Sequence, residues 1–167
     1  FEGKTAIVTG AASGLGLTTA RMFVQEGAAV VMVDQNDDAL QQAARGLSDA
    51  GGRVVAVSGD VSDPEIARRA VATAVERFGR LDVLFNNAAI DPWDATSLEE
   101  TPEALWDKVI DVNLKSAYMF TREAIPAMRK VGGGAIVNTA STAGLTASPR
   151  RSGYAITQAA PGPRPGG

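Results

Sequence analysis

The chain has 167 residues, of which 45% are hydrophobic, and a formal net charge of −3. This length predicts one globular domain with a substantial core, and the acidic balance argues against a nucleic-acid partner. The chain holds neither cysteine nor histidine, which excludes disulfides, thiolate zinc sites and Ser-His-Asp hydrolysis. No apolar stretch is long enough to span a bilayer and no signal peptide is visible, so we expect a cytoplasmic protein without a membrane partner.

The first predicted strand, residues 4–9, leads directly into a glycine-rich turn, and a helical pattern follows over 14–27. Glycine permits a tight turn and the close approach of an anion. The N-terminus of the following helix directs unpaired N–H groups and the positive end of its dipole at that anion. The turn therefore predicts a pyrophosphate site with five candidate cofactor-binding residues: Gly10, Ser13, Gly14, Leu15 and Gly16.

The second predicted strand, residues 28–34, ends in an acidic residue. Asp34 lies 18 positions after Gly16, which fits a dinucleotide fingerprint with the carboxylate on the adenosine ribose hydroxyls. The alternative is a tight turn without a ligand. A carboxylate here repels a 2′-phosphate, and neither Ser13 nor Gln35 is basic, so the sequence favours NAD over NADP.

Strands and helices alternate along the rest of the chain. We predict strands at 53–59, 81–86 and 134–140 and helices at 37–50, 63–79 and 102–130. The helix at 63–79 opens with Ser62-Asp63-Pro64-Glu65, which has the form of a capping box with an early proline. The strand cores are continuous apolar runs, typical of strands buried on both faces. The alternation predicts an α/β fold, with helices on both faces of a parallel sheet.

Polar residues lie where the later strands end, and ligands of such sheets bind at the carboxyl ends of strands. Asn113 lies on an apolar face of the helix at 102–130, where a buried amide needs a partner. Taken singly, each residue has a simpler interpretation as a cap, a loop hydroxyl or a half-buried aromatic. The strand-end residues are Asp60 and Val61, Asn87 and Ala88, and Ser141, with Tyr154 13 positions further on.

Together these residues resemble the short-chain dehydrogenases/reductases from Lys4 to about Ala160. The resemblance implies a doubly wound Rossmann-type sheet of strand order 3-2-1-4-5, in a single NAD(P)-binding domain over residues 1–160. It implies an oxidoreductase that interconverts a secondary alcohol and a ketone by hydride transfer with NAD. The matching residues are Thr9-Gly10-x-x-x-Gly14-x-Gly16, Asp60-Val61, Asn86-Asn87-Ala88, Asn113-Leu114, Ser141 and Tyr154.

The same resemblance implies residue roles. Ser141 would bond the substrate oxygen, Tyr154 would exchange a proton with it, and Asn113 would position a water in the proton relay. No metal is implied. A homo-dimer or tetramer is implied through the helix at 102–130. The implied cofactor contacts outside the glycine-rich turn are Asp34, Asp60, Val61, Asn87, Ala88, Tyr154 and Gln158.

The chain departs from the family pattern at three places. Ala89 stands where the family's Asn-Asn-Ala-Gly has glycine, and Gln158 stands where its Tyr-x-x-x-Lys has lysine. A glutamine can bond ribose hydroxyls, but it cannot supply the positive charge that favours a phenolate. Residues 161–167 hold three prolines and three glycines, which cannot continue a helix. We therefore predict an irregular tail there and interpret the chain as a truncated member of the family, produced by truncation or by a change of reading frame.

Two other functions fit parts of the pattern. The chain could be a non-catalytic dinucleotide-binding fragment or an oligomerisation subunit, and carbonyl-dependent oxidation of NADH discriminates this from an enzyme. A phosphate-binding signalling domain of flavodoxin type leaves Asn113, Ser141 and Tyr154 unexplained. In a sheet that ends with the strand at 134–140, that strand is an apolar edge, which predicts self-association.

Overall fold

The computed structural model describes residues 1–92, 98–146 and 152–159. The irregular tail predicted over 161–167 lies outside the described residues. The described part contains five strands, six α-helices, two 3₁₀ turns and one π turn. The strands are β1 (Thr5–Thr9), β2 (Ala29–Asp34), β3 (Val54–Ser58), β4 (Val83–Asn86) and β5 (Ala135–Asn138). The helices are α1 (Gly14–Gln25), α2 (Asp37–Asp49), α3 (Pro64–Phe78), α4 (Glu103–Ile110), α5 (Ser116–Lys130) and α6 (Ser152–Ala159). The 3₁₀ turns are Leu98–Glu100 and Thr142–Gly144, and the π turn is Asp111–Lys115.

The five strands form one parallel sheet of order β3-β2-β1-β4-β5, which confirms the predicted doubly wound order. Because strand side chains alternate, β1 and β2 contribute to two separate cores. Ile7 and Val31 pack on one face with residues of α3 and α5. Val8 and Val30 pack on the other face with residues of α1 and α2. The sheet therefore carries helices on both faces, as the apolar strand runs predicted.

The long helix predicted over 102–130 is interrupted. Helix α4 ends at Ile110, the π turn Asp111–Lys115 follows, and α5 continues to Lys130. A π turn inserts one extra residue into the helical repeat and changes the direction of the side chains that follow. Asn113 lies in the middle of this turn, where the structure places it beside the end of β4.

The start of α3 corrects one prediction. The capping-box pattern implied Ser62 as the capping residue, but the cap is Asp63, whose carboxylate accepts a hydrogen bond from the Glu65 N–H at 2.9 Å. Pro64 therefore occupies the first helical position, which suits its missing N–H. The Ser62 hydroxyl instead donates to Asp60 Oδ1 at 2.8 Å and helps to shape the turn after β3.

The two outer strands of the described sheet differ in how far side chains of other elements cover them. At β3, the Arg69 guanidinium of α3 donates a hydrogen bond to the Ser58 carbonyl, and Arg53 lies over the Phe78 ring. At β5, the side chains of Ala135 and Val137 are exposed. Within the described residues β5 is thus an apolar edge strand, as the sequence predicted.

The Asp82 side chain links the amino ends of β1 and β4 by hydrogen bonds. The residue is 6% exposed, and its carboxylate accepts hydrogen bonds from the Thr5 N–H at 3.0 Å, from Arg80 at 2.6 and 2.7 Å, and from Lys4 at 3.1 Å. Burial alone would raise the pKa of this carboxyl, but the hydrogen bonds from Arg80, Thr5 and Lys4 outweigh it and lower the pKa to about 2. The ionised carboxylate is therefore a stabilising part of the fold.

Asp82→Asn is expected to lower the free energy of unfolding at neutral pH by about 2 kcal/mol, because each pKa unit is worth about 1.4 kcal/mol. The folded pKa lies below the unfolded value of about 4, so the stabilisation is complete above that pH and is lost as the pH falls towards about 2. Urea unfolding of both proteins across this range measures the difference.

A matched control is Glu65→Gln, which removes a carboxylate from an exposed ion pair with Arg68 and is expected to cost much less stability than Asp82→Asn. A stability difference between the parent and Asp82→Asn that stays constant as the pH is lowered would contradict the assignment to the ionised form.

Candidate functional site

The turn between β1 and α1 is built from glycines that no other residue replaces without strain. Gly10 and Gly14 have φ angles of +66° and +53°, in the left-handed region that favours glycine. A Cβ atom on Gly16 would lie 2.0 Å from the Gly10 carbonyl oxygen. The first turn of α1 therefore packs directly against the backbone that leaves β1.

The N-terminus of α1 has no side chain to neutralise it. Ser13 precedes the helix with extended backbone angles and makes no capping hydrogen bond, and the first turn holds no acidic residue. The N–H groups at this end of α1 are thus available to an acceptor outside the helix. Together with the helix dipole, they make the mouth of the glycine-rich turn suitable for an anion.

Asp34 is held beside this turn at the end of β2. One carboxylate oxygen accepts a hydrogen bond from the Ala12 N–H at 3.0 Å, and the other accepts one from the Asn36 N–H at 3.0 Å. These bonds fix the orientation of the carboxylate at the boundary between the turn and the start of α2. A half-buried carboxylate in this position is suited to accept hydrogen bonds from vicinal hydroxyls.

The carboxyl ends of β1 and β4 are joined by side chains. Thr9 Oγ1 accepts hydrogen bonds from the N–H groups of Asn87 at 2.9 Å and Ala88 at 3.0 Å. Asn87 Nδ2 donates to the Thr9 carbonyl at 3.1 Å, and Thr139 after β5 donates to Asn87 Oδ1 at 3.3 Å. Thr9 was part of the sequence motif, but its function as the link between these strands was not predicted.

A cleft of about 320 Å³ lies along this edge of the sheet. Nine of the twelve predicted cofactor-binding residues line it: Gly10, Ser13, Gly14, Leu15, Asp34, Asp60, Val61, Asn87 and Ala88. Six further residues complete its lining: Gln35, Gly59, Ala89, Ile90, Lys108 and Val112. Gly16 lies behind the turn. Of the described residues, Asn113, Ser141, Tyr154 and Gln158 are outside this lining.

Asn113 has the partners that its apolar surroundings require. The residue is 8% exposed. Its Oδ1 accepts a hydrogen bond from the Ile90 N–H at 2.8 Å, and its Nδ2 donates to the Ile90 carbonyl at 2.9 Å. A second Nδ2 bond, of 3.2 Å, goes to Thr157 Oγ1 in α6. The amide therefore joins the π turn to the segment after β4 and to α6.

Ser141 and Tyr154 lie on elements that touch each other. Ser141 caps the 3₁₀ turn, since its Oγ accepts a hydrogen bond from the Ala143 N–H at 3.2 Å. Tyr154 is half-buried in α6. A Cβ atom on Gly144 would lie 2.6 Å from the Gln158 carbonyl carbon, so the turn and the helix are in backbone contact. Helix α6 also packs against α4 and the π turn, which brings the elements of Asn113, Ser141 and Tyr154 together.

The described part of the chain contains no group of three or more acidic, histidine or cysteine side chains arranged to hold a metal ion. Within those same residues, no helix combines the length and apolar character needed to cross a membrane.

Comparison with known proteins identifies the family. The model of the short chain dehydrogenase family matches residues 4–161, and the chain belongs to this family. A short chain dehydrogenase structure from Mycobacterium smegmatis superposes with a TM-score of 0.89 at 41% identity, over 95% of this chain and 66% of that one.

Two curated relatives have named activities. A cyclohexanol dehydrogenase from Acinetobacter is 42% identical over 154 residues, which are 92% of this chain and 61% of the relative. A 3-oxoacyl-acyl-carrier-protein reductase from Thermotoga maritima is 40% identical over 162 residues, which are 95% of this chain and 64% of the relative. The chain thus spans less than two thirds of the length of these relatives.

Gly16→Ala tests the packing of the glycine-rich turn. The added methyl group meets backbone atoms, which cannot move independently, so we expect a loss of about 1–3 kcal/mol in the free energy of unfolding. Gly46→Ala is the matched control, because a Cβ atom there meets nothing within 4 Å and α2 gains about 0.5–1 kcal/mol in helix propensity. Urea unfolding measures both, and equal stabilities for the two variants would contradict the close approach.

Proposed function

We propose that this chain binds a nicotinamide dinucleotide in the cleft and belongs to an enzyme that interconverts a small secondary alcohol and a ketone by hydride transfer. The observation that carries the proposal is the convergence of nine predicted cofactor-binding residues on one cleft of about 320 Å³. The names of the relatives support an alcohol or carbonyl substrate, since one is a cyclohexanol dehydrogenase and another a 3-oxoacyl reductase.

The donor set fits such a cofactor. The uncapped N-terminus of α1 is proposed to hold the pyrophosphate, and Gly14, where a Cβ atom would meet nothing within 4 Å, leaves room for it. Asp34 is proposed to accept hydrogen bonds from the adenosine ribose. Asp60 and Val61, at the end of the adjacent strand β3, line the same cleft and are proposed to contact the adenine end.

The chain is expected to bind NAD more tightly than NADP by at least about tenfold, because the Asp34 carboxylate repels a 2′-phosphate. Asp34→Asn is expected to lower the ratio of the affinity for NAD to the affinity for NADP. Asp37→Asn is the matched control, since Asp37 is an exposed carboxylate three residues away whose side chain bonds Gln41. Calorimetric titration of the three proteins with both dinucleotides measures the ratio, and equal or tighter binding of NADP by the parent would overturn the preference.

The proposed chemistry assigns one task to each residue near α6. When bound, the cofactor supplies the hydride for reduction of a carbonyl carbon. The Tyr154 phenol donates a proton to the carbonyl oxygen, and the Ser141 hydroxyl donates a hydrogen bond to the same oxygen. Asn113 is held rigidly by the Ile90 backbone and is proposed to position a water that resupplies the proton.

We propose that Gln158 affects the rates of oxidation and reduction to different extents. Gln158 lies four residues after Tyr154 on α6 and is 4% exposed. A neutral amide does not favour the phenolate that alcohol oxidation needs as its base, whereas carbonyl reduction uses the neutral phenol as its acid. We therefore propose that reduction is affected less than oxidation.

Gln158→Lys is expected to raise the rate of alcohol oxidation at neutral pH by about tenfold or more and to shift its pH profile to lower pH, with a smaller effect on carbonyl reduction. Gln158→Met keeps the length without a charge and serves as control. The measurement is a pH profile of both directions for the three proteins.

If the parent oxidises alcohols at neutral pH as fast as Gln158→Lys, another cation stands in for the lysine. Arg150 and Arg151 are the first candidates, and both lie outside the described residues.

A second function, binding of the dinucleotide without catalysis, is favoured by Gln158 and by the position of Tyr154 outside the lining of the cleft. Binding of NAD together with no turnover by either the parent or Gln158→Lys would select it.

We also propose that the chain forms a homo-dimer or tetramer through α4 and α5. Tyr118 of α5 is 61% exposed, and the Arg122 guanidinium lies 5.6 Å from its ring centre, so this face presents an aromatic and a cationic group. Such groups are enriched at protein interfaces. Light scattering of the purified chain measures the assembly. The cytoplasmic location stays a prediction.

A further inference from the structure

Thr157 is a buried polar residue next to the proposed catalytic tyrosine. It lies on α6 directly before Gln158 and is 0% exposed. Its hydroxyl donates a hydrogen bond to the Tyr154 carbonyl at 2.7 Å and accepts one from Asn113 Nδ2 at 3.2 Å. Both capacities of the hydroxyl are thus used in a site from which water is excluded.

The bond to Asn113 links segments that are distant in the sequence. Asn113 pairs through its amide oxygen and amide nitrogen with the backbone of Ile90, which lines the cleft. The same amide nitrogen donates to Thr157, 44 residues away. A continuous series of hydrogen bonds therefore runs from the wall of the cleft, through the π turn, to the carbonyl of Tyr154.

A helical threonine often bonds the carbonyl of the preceding turn, and that bond alone indicates nothing beyond local structure. The bond accepted from Asn113 has a different consequence. The Asn113 side chain is buried, so the second hydrogen of its amide nitrogen needs an acceptor. Valine has nearly the same shape as threonine but offers no acceptor, so it would leave this hydrogen without a partner.

We propose that Thr157 is a positioning residue, whose hydroxyl fixes the helix bearing Tyr154 relative to Asn113 and the Ile90 wall of the cleft. The proposal rests on the proposed function for its catalytic meaning, but the positioning itself is a property of the chain alone. Thr157 acts through Asn113 and Tyr154. The position of Tyr154 therefore depends on the Thr157 hydroxyl more than on its methyl group.

The test observes the Tyr154 ring directly. The chain contains two tyrosines, so Tyr118→Phe leaves Tyr154 as the single site for 3-fluorotyrosine, and one fluorine NMR signal reports its surroundings. In this background we compare Thr157→Val, which removes the hydroxyl, with Thr157→Ser, which removes the methyl group. Thr146→Val is the matched control, because Thr146 is exposed and, among the described residues, its hydroxyl bonds the carbonyl of Thr142, one turn away.

Thr157→Val is expected to split or broaden the fluorine signal, whereas Thr157→Ser and Thr146→Val keep the single line of the parent. An unchanged line in Thr157→Val would overturn the proposal, as would equal damage from Thr157→Ser, since that assigns the effect to packing. If Thr157→Val does not fold, Thr157→Ser and Thr157→Ala give the same comparison, because they differ only by the hydroxyl.

The effect of Thr157 on catalysis is measured in a second experiment, independent of the fluorine NMR. Where the chain reduces a carbonyl compound with NADH, Thr157→Val is expected to lower kcat by about tenfold with the affinity for NAD unchanged within about twofold, and Thr157→Ser to restore kcat. An equal loss of kcat in both variants would contradict the proposal. Failure of the parent to bind NAD in calorimetry would overturn the proposed function and leave the fluorine comparison valid.

Discussion

The hydrogen bonds accepted by Thr9 hold the carboxyl ends of β1 and β4 at a fixed separation, and the cleft depends on that separation. The glycine-rich turn leaves β1 directly after Thr9, and the segment that ends in Ile90 leaves β4 directly after Asn86. Because Thr9 Oγ1 binds the N–H groups of Asn87 and Ala88, the two segments diverge from one point. The side chain of Asn87 then occupies the space that the missing Cβ atoms of Gly10 and Gly16 leave open.

The two ends of the sheet differ in how completely their polar groups are bonded within the fold. At the amino end, Asp82 is surrounded by donors that fully satisfy it, so this end is closed and stable. At the carboxyl end, the N-terminus of α1 has no capping side chain. Parallel strands direct all their loops of one kind to the same end, so the N-termini of α2 and α3 lie there as well, but they are capped by Asn36 and Asp63. The fold thus separates the region that stabilises it from the region proposed to bind an anion.

The sheet and most of the cleft could be predicted from the sequence because they depend on local signals. Continuous apolar runs locate the strands, and Gly10, Gly14 and Asp34 have spacings set by backbone geometry and by the ligand. The π turn could not be predicted, since it carries no signal in residues 111–115. It coincides with the position from which the Asn113 amide reaches the Ile90 backbone, a contact between distant segments. The choice of Asp63 over Ser62 as cap depended on whether Ser62 was already bonded to Asp60, which also requires the fold.

Gln158 bears on the packing of α6 as well as on the proposed acid–base chemistry, because it is buried where the 3₁₀ turn meets α6. Burying an ammonium group at such a position is unfavourable unless a counter-charge or several acceptors surround it, whereas an amide needs only hydrogen bonds. With a lysine at this position, the packing of α6 would therefore depend on a counter-charge or on acceptors that neutralise the ammonium group. Glutamine removes that dependence, because its amide carries no charge and needs only hydrogen-bond partners. In the proposed mechanism Gln158 thus weakens the base that oxidation requires, and it leaves the position of Tyr154 to neutral contacts, among them the two hydrogen bonds of the Thr157 hydroxyl.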